Sequence, residues 1–153
     1  MRCMDRQPNH DDARLLMKLY ELRRDEKLRA ARDWFARNFN ARTIGEYDAL
    51  CPPGSQENTF TRMVTSYWDM AASFVSNGVL HDELFFQNSR EMLLVWERVK
   101  PIVGPFRKAL EDPAMWSNLE AVGTEFERYW SRVSPGSLPA FAARIHAMAA
   151  KKS

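Results

Sequence analysis

Between Ser55 and Asn77 the apolar residues Phe60, Met63, Val64, Tyr67, Trp68, Ala71, Phe74 and Val75 recur at three- and four-residue intervals. That spacing places them on one side of an α-helix, with Arg62, Thr65, Ser66, Asp69, Ser73 and Ser76 on the other. A helix with so broad an aromatic face must bury it against other helices. Asn77-Gly78 ends it, because glycine takes the left-handed conformation that closes a helix. No alternating strand pattern or hairpin signal competes elsewhere, and no internal repeat is visible.

Other stripes surround this element. Asn9 is placed to cap a helix with Asp11 and Asp12 in its first turn and Leu15, Leu16, Leu19 and Leu22 as its stripe. A second stripe, Leu28, Ala31, Trp34, Phe35 and Phe39, follows in a different phase, which predicts a break near Arg24–Asp25. Thr43-Ile-Gly-Glu46 has the spacing of a capping box for a short helix ending at Leu50. Cys51-Pro-Pro-Gly-Ser55 then forces a loop. A long helix is expected over about Asp82–Val99, a break over Lys100–Pro105, a short helix over Phe106–Leu110 and a long one over about Pro113–Val133. In the last of these, Gly123 leaves room for a neighbour, with Trp116 and Trp130 above and below. A final amphipathic helix carries Leu138, Phe141, Ala142, Ile145, Met148 and Ala149. The expected fold class is all-α, an irregular helical bundle of six or seven helices forming one domain over residues 1–153. Residues 1–8 are expected as a mobile tail and 151–153 as a basic one. At 153 residues such a chain removes roughly 70% of its unfolded surface from water and needs neither disulfide nor metal to fold.

Within that frame, Tyr67-Trp-Asp-Met, Gly78-Val-Leu-His-Asp-Glu-Leu-Phe-Phe and Trp96-Glu-Arg-Val, all within Met63–Val103, form a recognisable set. With the leading Leu19-Tyr-Glu-Leu-Arg-Arg, they resemble an uncharacterised family of bacterial all-helical proteins, over about half the chain. The resemblance implies a helical domain. It carries over no activity and no functional residues.

Chemistry-bearing patterns are sparse. None of His10, His81 or His146 has a Glu three residues before it, so the inward Glu-x-x-His pairs of a di-iron bundle are missing, as are His-Glu-x-x-His and Cys-x-x-Cys. No metal, cofactor or catalytic residue is therefore predicted. His81-Asp82-Glu83 gathers acid–base groups, but acidic residues favour a helix start for dipole reasons alone. Cys51 reads as an unreactive thiol, and Glu91, Glu97 and Asp69 fall on polar faces. The six glycines are scattered, so no phosphate-cradling loop exists. The first residues lack the apolar run of a secretion signal, and no uninterrupted apolar stretch of about 18 residues could span a membrane. With Cys3 and Cys51 the only cysteines, a cytoplasmic location is expected.

Net charge is +2, but it is unevenly spread. Nine basic residues face four acidic ones from Arg14 to Arg42, two face eight from Thr43 to Glu97, and nine face five thereafter. Arg23, Arg24, Lys27, Arg29, Arg32 and Arg37 make a basic patch, interleaved with Glu21, Asp25, Glu26 and Asp33. The favoured function is a non-enzymatic interaction or scaffold module with a protein partner or a second copy of the chain. Its candidate contact residues are Leu94, stranded among polar neighbours, and Phe141, Ile145 and Met148 of the last helix. Two alternatives stand beside it. One is a nucleic-acid-binding regulator using the basic patch, disfavoured by the interleaved acids and the lack of a helix-turn-helix pattern. The other is a bundle that takes a small apolar ligand among its eight Met and many aromatics.

Overall fold

Capping chemistry sets where the helices begin. In a computed structural model of the chain, which describes residues 5–150, Asn9 accepts from the backbone N–H groups of Asp11 and Asp12. The Asp12 carboxylate accepts in return from Asn9 N at 2.8 Å, a reciprocal box that starts α1 (His10–Leu22). Asp25 then caps α2 (Glu26–Asn38), so the break expected near Arg24–Asp25 is present. Thr43 caps α3 (Ile44–Leu50) and Ser55 caps α4 (Gln56–Ser76). Gly78, at φ 74°, ends the α4 turn, and both Val79 and Leu80 N–H return to the Phe74 carbonyl.

The second half is more broken than its hydrophobic spacing predicts. The rod expected over Asp82–Val99 is two helices, α5 (Asp82–Asn88) and α6 (Arg90–Val99), parted at Ser89. Asn88 Nδ2 donates to the Leu84 carbonyl at 2.9 Å and closes α5 from its own side chain. A 3-10 turn over Lys100–Ile102 then runs directly into α7 (Val103–Leu110) where a loop was expected. Pro101 and Pro105 are tolerated because each sits in a first turn, where no N–H is needed. The helix expected from Pro113 begins later, as α8 (Ser117–Val133), and α9 (Ser137–Ala150) follows. Among the described residues this makes nine α-helical segments, or eight when α5 and α6 are taken as one broken rod. The expected six or seven is thus too few. The excess comes from the break at Ser89 and from the short α3 and α7, which stand as helices of their own.

The long α4 is the central element. Its face packs on α2 to one side and α8 to the other, α6 packs on α8, and α9 leans on α2, α8 and α6. Trp68, Ala71, Phe85, Met92, Ile102, Leu119 and Phe126 are buried, as are Tyr67 and Trp96. An aromatic chain runs through them: Trp68 to Phe85, Phe85 to Phe86, and Phe86 to Phe126 with ring centroids 4.7 Å apart. Each contact adds to the area the rings bury. Tyr67 is amphipathic here, burying its ring while its hydroxyl donates to the Leu19 carbonyl at 2.5 Å, which ties α4 to α1.

Three residues placed by periodicity on solvent faces are turned inward. Thr65 is buried, with its hydroxyl bonded back to the Thr61 carbonyl. Asp69 accepts from Leu119 N at 2.9 Å and so caps α8 from another helix. Arg98 is 3% exposed. Trp116 departs from its expected place in the α8 stripe. It lies just before the helix in the left-handed region, φ 55°, and stacks on Phe106 at 4.7 Å.

The proposed tails are described only in part. Residues 1–4, with Cys3, and 151–153 lie outside the described residues. Arg6 grips Asp12 through two hydrogen bonds of 2.5 and 2.6 Å, and its carbonyl accepts from His81 Nε2 at 2.8 Å. No described helix is long and apolar enough to cross a membrane.

Candidate functional site

The end of α1 turns back into α2, and this corner gathers the arginines. Arg32, from α2, donates through Nε and a terminal nitrogen to both oxygens of Glu91 on α6, at 2.8 and 2.6 Å. Its other terminal nitrogen donates to the Arg23 carbonyl at 2.9 Å, satisfying an orphan carbonyl at the end of α1. Arg23 lies over the Trp68 and Tyr20 rings, with its guanidinium carbon 5.2 and 5.3 Å from their centroids. This cation–π arrangement holds the side chain down against the core.

Two hollows meet over this corner and share Arg29 and Arg32. One, of about 360 Å³, is lined by Tyr20, Arg23, Arg24, Arg29 and Arg32 alone. The other, of about 560 Å³, has Ala30, Ala36 and Leu94 as apolar lining and Glu26, Asp33 and Glu91 as acids. Leu94 therefore does border a recess, half-buried beside the Arg32–Glu91 pair.

The sequence places acids between the bases, but the structure commits most of them elsewhere. Asp25 caps α2, Glu21 pairs with Lys18, Asp33 with Arg37 and Glu91 with Arg32. Among the described residues, no ion pair reaches Arg24, Lys27 or Arg29, all exposed. Of the expected basic patch, Arg23, Arg24, Arg29 and Arg32 come together around one hollow. Lys27 is exposed and lines neither hollow, while Arg37 is spent on Asp33.

The last-helix residues separate. Phe141 is half-buried, Ile145 is 2% exposed and packs inward, and Met148 is 43% exposed. Most of the apolar stripe of α9 is thus used against its own chain.

A second charged cluster lies at the other end of α6. Arg98 donates to the Phe35, Ala36 and Phe39 carbonyls at the end of α2, and to the Ile145 carbonyl of α9. It caps α2 and pins α9 at once. Beside it, Glu97 is pushed up to about 7 by burial, then by its hydrogen bond with Glu127. For Glu127 burial acts upward as well, but hydrogen bonds from Glu97, Lys100 and Trp96 prevail and hold it low. Lys100 Nζ donates to Glu127 at 2.8 Å and Trp96 Nε1 donates to it at 2.9 Å. Glu97 has the protonation range of a general acid or base and borders a hollow of about 230 Å³ with Arg42 and His146. Among the described residues Asn40, Arg98 and His146 line that hollow with it, and no Ser, Thr or Cys does.

Other residues weighed from the sequence have structural partners. His81 caps α5 through Nδ1 and Leu84 N, and its backbone N–H reaches Asp12 at 2.9 Å. Cys51 is buried, within 3.2 Å of the Thr61 hydroxyl, and burial raises its thiol above the ordinary value. Among the described residues no three His, Cys, Asp or Glu are grouped to hold a metal ion. Periodicity missed Arg98, Glu97 and Asp69, since each meets a partner on a distant helix.

No curated protein and no solved structure matches the chain. Over residues 10–132 it matches the family described as "Domain of unknown function (DUF4760)", a span that includes both charged clusters except their α9 partners. The chain is an all-helical member of that uncharacterised family.

Proposed function

We propose that this protein is an interaction module rather than an enzyme, and that its α1–α2 arginine corner docks an acidic, partly apolar peptide segment of a partner protein. The observation that carries this reading is that Arg24 and Arg29, both exposed at the hollow, meet no ion pair among the described residues, while Glu21, Asp25 and Asp33 are committed to other groups. Unsatisfied positive charge over a preformed recess attracts a complementary partner and orients it on approach.

The surroundings favour a peptide over nucleic acid. Met17 and Tyr20 are 61% and 54% exposed, one helical turn apart on α1, and Leu22 is exposed nearby in sequence. Tyr, Met and Arg together are the composition of a protein interface.

Fluorescence anisotropy of a labelled twelve-residue peptide of alternating Glu and Leu provides the test. Saturable binding should weaken at least tenfold in the R24E/R29E variant, whose altered side chains are exposed, and should weaken as salt is raised. No saturable binding, an unaffected variant, or tighter binding of a DNA duplex than of the peptide would each overturn the reading.

A further inference from the structure

A small cavity of about 160 Å³ lies where α9 meets the start of α6 and the end of α8. Its walls are Leu93 and Arg90 from α6, Trp130 from α8, and Leu138, Phe141 and Arg144 from α9. Two hydroxyl-bearing residues, Ser134 and Ser137, complete it. No carboxylate lines it. Arg90 lies over the Trp130 ring with its guanidinium carbon 4.2 Å from the centroid, and Arg144 stands 6.0 Å from the Phe141 centroid. Neither arginine forms an ion pair among the described residues.

The indole N–H of Trp130 is buried and meets no acceptor among the described residues. Trp68 shares that condition, but it sits in the closed core under Arg23, whereas Trp130 borders open volume. A buried donor left without an acceptor is costly. The cavity thus combines an apolar aromatic body with two guanidinium groups that form no ion pair among the described residues.

We infer that this cavity is a binding site for a small carboxylate with an apolar body of about benzene size. The volume sets the body, since a cavity of roughly 150 Å³ lined by apolar side chains holds a benzene molecule. The charge sets the head group. Guanidinium forks match the planar, two-oxygen geometry of a carboxylate. Stacking of Arg90 on Trp130 holds one fork in place before any ligand arrives, which lowers the ordering entropy of binding. The site shares no residue with the arginine corner and does not rest on the peptide reading.

Benzoate is the probe, titrated by calorimetry and by the Trp130 indole N–H resonance of the intact chain. Saturable binding at millimolar or lower concentration is expected, with a shift of that resonance. Benzyl alcohol, which keeps the body, and acetate, which keeps the charge, should each bind at least tenfold more weakly. The R90Q/R144Q variant should lose at least tenfold in benzoate affinity. W130F, which leaves a smaller ring under Arg90, should lose several-fold; circular dichroism checks that both variants remain folded. If either variant unfolds, the three probes on the natural chain decide the matter. Absence of saturation, equal binding of benzyl alcohol, or a folded R90Q/R144Q variant that binds as the natural chain does would overturn the assignment.

Discussion

At the scale of single residues, Arg98 shows how one buried side chain can hold three helices together. Its guanidinium donates to the Ala36 and Phe39 carbonyls at the end of α2, and to the Ile145 carbonyl on α9. The negative end of the α2 dipole provides the compensation that a carboxylate usually provides. Replacing it by methionine keeps much of the volume but strands several buried acceptors. Arg98→Met should therefore lose about 3 kcal/mol or more in urea denaturation. Arg98→Lys should recover only part, because an ammonium cannot span the same acceptors. Stability of Arg98→Met equal to that of the natural chain would remove the staple from this account. Glu97 makes a pH prediction. Its carboxyl titrates near 7 in the folded chain against 4.5 unfolded, so between those values the folded state holds the extra proton. Stability should fall as pH rises through that window. Asp12 and Glu127 are shifted downward, so the stability they contribute is present above their unfolded values and lost in acid, outside the window. Denaturation at pH 5, 6, 7 and 8 should show a shallower decline in Glu97→Gln than in the natural chain. Equal slopes would contradict the assignment.

At the scale of helices, Gly123 fixes how closely α8 approaches α6. A Cβ built there would lie 2.5 Å from the Trp96 indole, which is itself buried and hydrogen-bonded to Glu127. Gly123→Ala should destabilise the chain by about 1–3 kcal/mol through overpacking, despite alanine's better helix propensity. Combining it with Trp96→Phe should recover part of that loss, and additive losses in the double variant would argue against the contact. The need for room at Gly123 was legible from the α8 stripe, but the ring that fills it was not. The stripe placed Trp116 and Trp130 above and below that room and left the neighbour unnamed; it is Trp96 of α6. The same division runs through the other elements. Asn9, Asp25, Thr43 and Ser55 act on backbone within a turn, so their roles could be read along the chain. Asp69 acts on a helix fifty residues away, and Arg98 on carbonyls 47 to 63 residues away, and no local pattern records such contacts. Helix breaks were hidden for a related reason. Phe85, Met92 and Trp96 would share a face in one continuous helix, so the interruption at Ser89 leaves no trace in the spacing.

At the scale of the whole molecule, the distribution of charge matters more than its sum. A net +2 predicts little about partners, and the surplus of nine bases over four acids from Arg14 to Arg42 does not say which cations stay unpaired. Folding changes that balance by assigning acids to caps and to particular cations, which leaves a positive corner beside exposed Met17 and Tyr20. The basic residues of that corner were legible in the sequence, but which of them stay unpaired was not, because Arg32 is taken by Glu91 from α6 while Arg24 and Arg29 meet no ion pair among the described residues. Hydrogen–deuterium exchange on the natural chain, with and without saturating Glu-Leu peptide, tests the location of this docking face. Protection is expected over residues 20–33 and 90–94, with α8 and α9 unchanged. Protection confined to α8 and α9, or none in the saturated complex, would contradict it.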